Sequence, residues 1–234
     1  MSRIILKLSG EALAGPGKTG FDEETVRGAA KQVRKLTDSG CEVGIVTGGG
    51  NFWRGRTGNE IDRVKSDQIG MLATVMNCIY VSEIFRSEGM RTRVFTPFEV
   101  GGITELFSKD AAVEGLRRGE VVFFAGGTGH PYFSTDTGVV LRAIEVDADV
   151  ILMAKNIDGI YDSDPMKNPA AKRFDTISVE DVIAKDLQAT DLASSILAKE
   201  NRMPMRVFAL QEEDSIVKAA SGKFNGTTIT VDRD

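Results

Sequence analysis

The sequence predicts an α/β fold, a mostly parallel sheet covered by helices on both faces. Three observations predict it. Short apolar runs alternate along the 234 residues with segments of helical period. Four of these runs end in glycine-rich or acidic loops, as strands do at the ligand-binding edge of an open parallel sheet. Apolar residues make up 41% of the chain, enough to bury a sizeable core.

The elements follow in order. Strand 3–8 runs into Ser9-Gly10. Asp22 caps a helix from Glu23 to about Asp38, with Val26, Ala30, Val33 and Leu36 on one face, and Ser39-Gly40 ends it. Strand 43–47 runs into Gly48-Gly49-Gly50-Asn51. A longer helical pattern covers 64–87, with Ile69, Leu72, Val75, Met76, Ile79 and Ile84 apolar, and stops at Gly89. Strand 92–96 precedes an amphipathic helix from Lys109 to Arg118. Strand 121–125 runs into Gly126-Gly127-Thr128-Gly129-His130-Pro131, and a helix from Asp136 to Val146 follows. Strand 150–154 runs into Lys155-Asn156-Ile157-Asp158-Gly159. Residues 162–174 are the least regular, with turn signals at Asp164-Pro165 and Asn168-Pro169. Helices at 179–187 (capped by Ser178), 192–201 and 213–220, with strands 205–209 and 227–231, complete the alternation. No internal boundary stands out, so 1–234 reads as one domain.

Composition excludes several function classes. A net charge of −5 argues against sequence-independent nucleic-acid binding, which needs basic surface. Cys41 and Cys78 make neither a metal spacing nor a disulfide framework, which points to a reducing cytoplasm. His130 is the single histidine, so a Ser-His-Asp triad or a histidine-rich metal site would have to be built on it alone. The amino terminus enters a strand directly, so no signal peptide is expected. No uninterrupted apolar stretch approaches the roughly 20 residues of a membrane span.

What remains is the chemistry of the loops. Glycines after a strand let backbone N–H groups approach an anion closely. Lys7 interrupts an apolar strand and is costly there unless its ammonium finds an anion; on an edge strand it could instead reach water. Gly48-Gly49-Gly50 has more glycine than a turn needs, and Arg54, beside Trp53, could clamp a transferring phosphoryl group or be a solvated surface residue. Ser134 and Thr135 can cap a helix and hold phosphate at its amino terminus. Asp158, Tyr161, Asp162 and Asp164 suit either ribose and Mg²⁺ contacts or plain turn chemistry. Residues 12–19 nearly match a Walker A motif, but Pro16 and Gly20 interrupt it and no helix opens at Thr19. They read as a glycine-rich hairpin or lid near Lys7. Cys78, Met71, Met76 and Met153 read as core packing.

Five segments carry a family resemblance: Lys7-Leu8-Ser9-Gly10-Glu11, Gly48 to Asn51, Gly70 to Asn77, Thr128 to Asp136, and Asp158 to Pro165. In this order they resemble the bacterial uridylate (UMP) kinases of the amino acid kinase family, not the P-loop nucleoside monophosphate kinases. The resemblance implies an αβα sandwich, a homohexamer, and phosphoryl transfer from ATP to UMP with Mg²⁺ held mainly by the nucleotide phosphates. It implies Lys7, Arg54 and Asp136 as catalytic residues. On the ATP side it implies Lys7, Leu8, Ser9, Gly10, Gly50, Arg54, then Lys155 or Asn156, Tyr161 and Asp164. On the UMP side it implies Gly49, Asp67, Thr128, Gly129, His130, Pro131, Tyr132, Phe133, Ser134 and Thr135. The N-terminal part would bind UMP and the phosphates, the C-terminal part ATP. Asp191 resembles a further acidic residue near the phosphates. Many members are activated by GTP and inhibited by UTP. Ser82, Arg86, Arg93 and Glu120 occupy positions that are basic at the GTP site of some relatives; only two are basic here, which argues against GTP activation. Two other readings are a carboxylate or carbamate kinase of the same fold and a non-catalytic nucleotide sensor or anion-storage protein. The uridylate-like Thr128–Asp136 stretch opposes the first, and the presence of Lys7 opposes the second.

Overall fold

Alternating apolar strands and one-sided helices place the chain around a central sheet. The structure, a computed structural model, describes residues 2–53, 61–187 and 190–231. The strands are β1 (Arg3–Leu8), β2 (Glu42–Thr47), β3 (Thr92–Thr96), β4 (Glu105–Leu106), β5 (Val121–Phe124), β6 (Val150–Lys155), β7 (Ile160–Tyr161), β8 (Arg173–Phe174), β9 (Thr176–Ser178), β10 (Met205–Ala209) and β11 (Gly226–Thr230). The helices are α1 (Gly10–Leu13), α2 (Glu23–Asp38), α3 (Arg63–Ser87), α4 (Lys109–Arg117), α5 (Thr135–Glu145), α6 (Val179–Ala184), α7 (Leu192–Glu200) and α8 (Ser215–Ser221). Among the described residues, nine strands form one sheet in the order β4-β3-β5-β2-β1-β6-β10-β11-β9. Its neighbours pair in parallel except β10 with β11. The expected mostly parallel sheet between helical layers is therefore what forms.

Strand alternation divides the core in two. Ile4, Leu6 and Leu8 of β1 pack with α2, α3 and α8 on one face. Ile5, Val46, Ile151 and Met153 pack with α4, α5, α6 and α7 on the other. Caps stop and start the helices as the side chains dictate. Asp22 accepts from the Thr25 N–H at 3.0 Å, and Ser178 from the Asp181 N–H at 3.1 Å.

Several expectations need correction. β1 is paired on both sides, so the edge-strand alternative for Lys7 fails. Residues 15–17 form a 3-10 turn, not a hairpin. α6 ends at Ala184, because Asp186 takes a left-handed backbone that cannot continue a helix. α8 starts at Ser215, since Asp214 is also left-handed. The irregular 162–174 stretch contains β8, which pairs antiparallel with β7. Met76 is not core packing; it is 49% exposed. By length and composition α3 could cross a membrane, the one such helix among those described. A search for uninterrupted apolar runs misses it, because its apolar residues occupy more than one face. Its inner face, with Val75, Cys78, Val81 and Phe85, is buried on the sheet.

Candidate active site

The four loops singled out in the sequence follow β1, β2, β5 and β6. These strands lie side by side at the centre of the sheet, in the order β5-β2-β1-β6, and run parallel. Their carboxyl ends therefore open on one crevice, where open α/β sheets bind ligands.

Lys7 lies opposite Val46 and Met153 and shares the face of Ile5. It is buried, and its ammonium pairs with Asp136 in the first turn of α5. Lys155 ends β6 two residues beyond Met153 and so lies on the same face. Burial lowers its pKa and Lys7 adds to that, while Asp136, Asp191 and Glu11 oppose it. Two lysines and three carboxylates, Asp136, Asp191 and Glu11, thus act on one another beneath the crevice.

The first two loops touch. A Cβ on Gly10 would meet Gly50 N and Asn51 Oδ1 at 2.7 Å, so only glycine allows this approach. Gly49 is held against α3: a Cβ there would meet the Gly70 carbonyl at 2.9 Å. Ser9 caps α1 through its Oγ and the Ala12 N–H at 3.2 Å. The Leu8 side chain is fully buried in the core, and its carbonyl accepts from the Gly48 N–H at 2.9 Å.

A cavity of about 190 Å³ lies between the Gly48–Asn51 loop, the start of α3 and the third loop. Gly49, Gly50, Asp67, Thr128, His130 and Phe133 line it, with Ser134 and Thr135 at the helix end. Asp67 Oδ2 accepts from Arg63 Nε at 2.8 Å and from the Tyr132 N–H at 2.7 Å. Tyr132 has φ 71°, a left-handed backbone that costs a non-glycine residue roughly 1 kcal/mol or more. Its ring lies 5.3 Å from the Arg63 guanidinium carbon, and Gly129 and Pro131 complete the loop. Ser134, not Thr135, caps α5, accepting from the Asp136 and Thr137 N–H groups. Asp191 caps α7 and accepts from both Ser134 and Thr137, so one carboxylate ties two helix starts together.

On the other side a cavity of about 750 Å³ is lined by Lys7, Ser9, Glu11, Lys155, Asn156 and Tyr161. An adjoining cavity of about 330 Å³ continues past Tyr161, Asp162 and Asp164. Turn chemistry and cavity lining coincide here. Asp158 accepts from the Tyr161 hydroxyl at 2.8 Å and from Arg173 at 2.7 Å. Asp164 accepts from the Met166 N–H at 2.9 Å. Arg54 lies outside the described residues.

Arg63 and Asn77 escape sequence reasoning. Arg63 reads as an ordinary residue at a helix start, and only its approach to Asp67 and Tyr132 places it at the cavity. Asn77 had one signal, a polar residue among apolar ones on a helix. Away from the crevice, Arg93 is engaged by Glu105, Arg86 donates to Thr92 Oγ1 at 2.6 Å, and Ser82 donates to the Ile79 carbonyl. Glu120 Oε2 is buried with no hydrogen-bond partner among the described residues.

Comparison with known proteins bears on the fold. The family model described as amino acid kinase family matches residues 2–209. The chain is similar to the crystal structure of a UMP kinase from Bacillus anthracis, at 36% identity and TM-score 0.94 over 99% of this chain and 97% of that one. It is also similar to a UMP kinase from Ureaplasma parvum, at 31% identity and TM-score 0.92 over 98% of each. A buried lysine at the end of the central strand, glycine loops on its neighbours and a family match over most of the length lead to one conclusion: the chain belongs to the amino acid kinase family.

Proposed function

We propose that this chain is a UMP kinase, transferring the γ-phosphoryl group of ATP to UMP to give UDP for pyrimidine nucleotide synthesis. The observation that carries this reading is the likeness, at 36% identity and nearly full length on both sides, to a protein named as a UMP kinase. UMP occupies the smaller cavity, with Asp67 and the Thr128–Thr135 loop around the nucleoside and Gly49 at its phosphate. ATP occupies the larger cavities, with Tyr161 and Asp164 at the nucleoside and Lys155 or Asn156 toward the phosphates. Lys7, Arg54 and the glycine-loop amides stabilise the phosphoryl group in flight, where positioning and charge neutralisation dominate. An oxygen of the UMP phosphate attacks the γ-phosphorus and the γ-phosphoryl–oxygen bond to ADP breaks. That oxygen is already ionised at neutral pH, so no histidine base is needed.

Magnesium is the ion this reading implies. It prefers oxygen ligands and is usually held by substrate phosphates with one or two carboxylates. Asp136, at the Lys7 ammonium, is a carboxylate that fits; the ion would supply charge neutralisation on the phosphates. The reading also includes a cytoplasmic homohexamer inhibited by UTP. The engagement of Arg93 by Glu105 and the buried Glu120 carboxylate support the absence of GTP activation.

The test is a coupled assay with ATP against UMP, CMP, dTMP, uridine, glutamate and carbamate, each with and without GTP and UTP. Turnover on UMP is expected, with inhibition by UTP and no gain from GTP. Transfer to glutamate or carbamate but not to UMP would overturn the assignment.

A further inference from the structure

Asn77 lies on the sheet-facing side of α3 and is fully buried. A buried amide has to be hydrogen-bonded. Its Nδ2 donates to the Gly48 carbonyl at 2.5 Å and to Asn51 Oδ1 at 2.7 Å. Its Oδ1 accepts from Asn51 Nδ2 at 3.0 Å. Asn51 Nδ2 also donates to the Gly20 carbonyl at 2.8 Å, and the Gly20 N–H donates to the Asn51 carbonyl at 3.2 Å. One reciprocal amide pair therefore joins α3, the glycine loop and the turn before α2.

The neighbours of Asn77 on α3 include Ala73, Cys78 and Val81, all buried, so packing alone would accept an apolar residue here. What the amide adds is direction. A trans peptide is planar, with its C=O and N–H on opposite sides. Drawing the Gly48 carbonyl toward Asn77 turns the Gly49 N–H away from it. Neither the Gly49 nor the Gly50 N–H has a hydrogen-bond partner among the described residues, and both glycines line the smaller cavity.

We infer that Asn77 is a positioning residue for phosphoryl transfer: through Gly48 and Asn51 it sets the direction in which the Gly49 and Gly50 N–H groups meet phosphate. The inference rests on the UMP kinase reading and deepens it.

The experiment compares wild type with Asn77→Ala, Asn77→Asp and Val33→Ala, the last a buried core change on α2. Each is measured for kcat, for KM toward UMP and ATP, and for Tm. Asn77→Asp keeps the shape and an acceptor but removes both donors, so a kcat loss there cannot come from a void. Both Asn77 variants should lose kcat by about tenfold or more, with KM for UMP moving by less than about threefold, as misplaced transition-state donors require. Val33→Ala should lower Tm yet keep kcat within about threefold. Asn77 variants that keep kcat within that range, or lose only UMP affinity, would overturn the inference. So would a Val33→Ala variant that loses kcat as they do, since general destabilisation would then explain both. Wild type that forms no UDP would instead overturn the functional reading, and this inference with it.

Discussion

On β1, Ile5 and Lys7 face α5 while Ile4, Leu6 and Leu8 face α2 and α3. A one-residue shift of register would place the Lys7 ammonium among Val26, Val33 and Phe85 of the other layer, away from Asp136, at a cost of several kcal/mol on the order expected for an unpaired buried charge. Parity therefore decides that this lysine reaches Asp136 and the crevice. If it stabilises the phosphoryl group only in flight, Lys7→Ala should lower kcat by about 100-fold or more while changing KM for UMP little. Steady-state kinetics check this, and turnover within about threefold of wild type would remove Lys7 from the mechanism. The anomaly of Lys7 was legible in the sequence, because a charge inside an apolar strand contradicts its surroundings. Asn77 gave only a weak signal, a polar residue among apolar ones, and its role stayed hidden until its partners, 26 and 29 residues away in the chain, were known.

α3 is the element whose sequence reads least plainly. Its apolar residues divide between two faces, so no single amphipathic stripe emerges. One face enters the core. The other carries Ile69, Leu72, Met76 and Ile79, each at least 38% exposed and spaced by three, four and three residues. That is the spacing of a helix-packing seam, and it supports the proposed oligomer. Leu72→Glu should shift the chain to a smaller species at micromolar concentration, read by size-exclusion chromatography with light scattering; an unchanged mass would detach this seam from assembly. The starts of α2, α5 and α6 were legible to within a residue, because Asp22, Ser134 and Ser178 are capping side chains that mark where backbone N–H groups need partners; the end of α6 was not, since the left-handed Asp186 stops it three residues early. The two-residue strands β4, β7 and β8 were not, since so short a run shows no alternation and exists only through its pairing.

In the whole molecule, the proposed ligands would join loops far apart in the chain: β1 and β2 lie within the first 47 residues, β5 and β6 near its middle. Binding should therefore stabilise the fold as a unit. UMP at about 100 times its Kd adds about 2.7 kcal/mol. For a chain of this size that raises Tm by about 5–10 °C. A thermal-shift titration that shows no rise with UMP would remove the nucleotide from this crevice. The strand order, invisible in a sequence that visits β5 after β3, has a further effect. Adjacent strands sit about 4.8 Å apart, so the ends of β5 and β6, three spacings from one another, are about 14 Å apart where their loops begin. Backbone hydrogen bonds keep that interval from stretching. If UMP and ATP occupy the cavities proposed, the sheet acts as a gauge of acceptor length: uridine, one phosphate short, and UDP, one phosphate long, should both turn over far more slowly than UMP in the coupled assay.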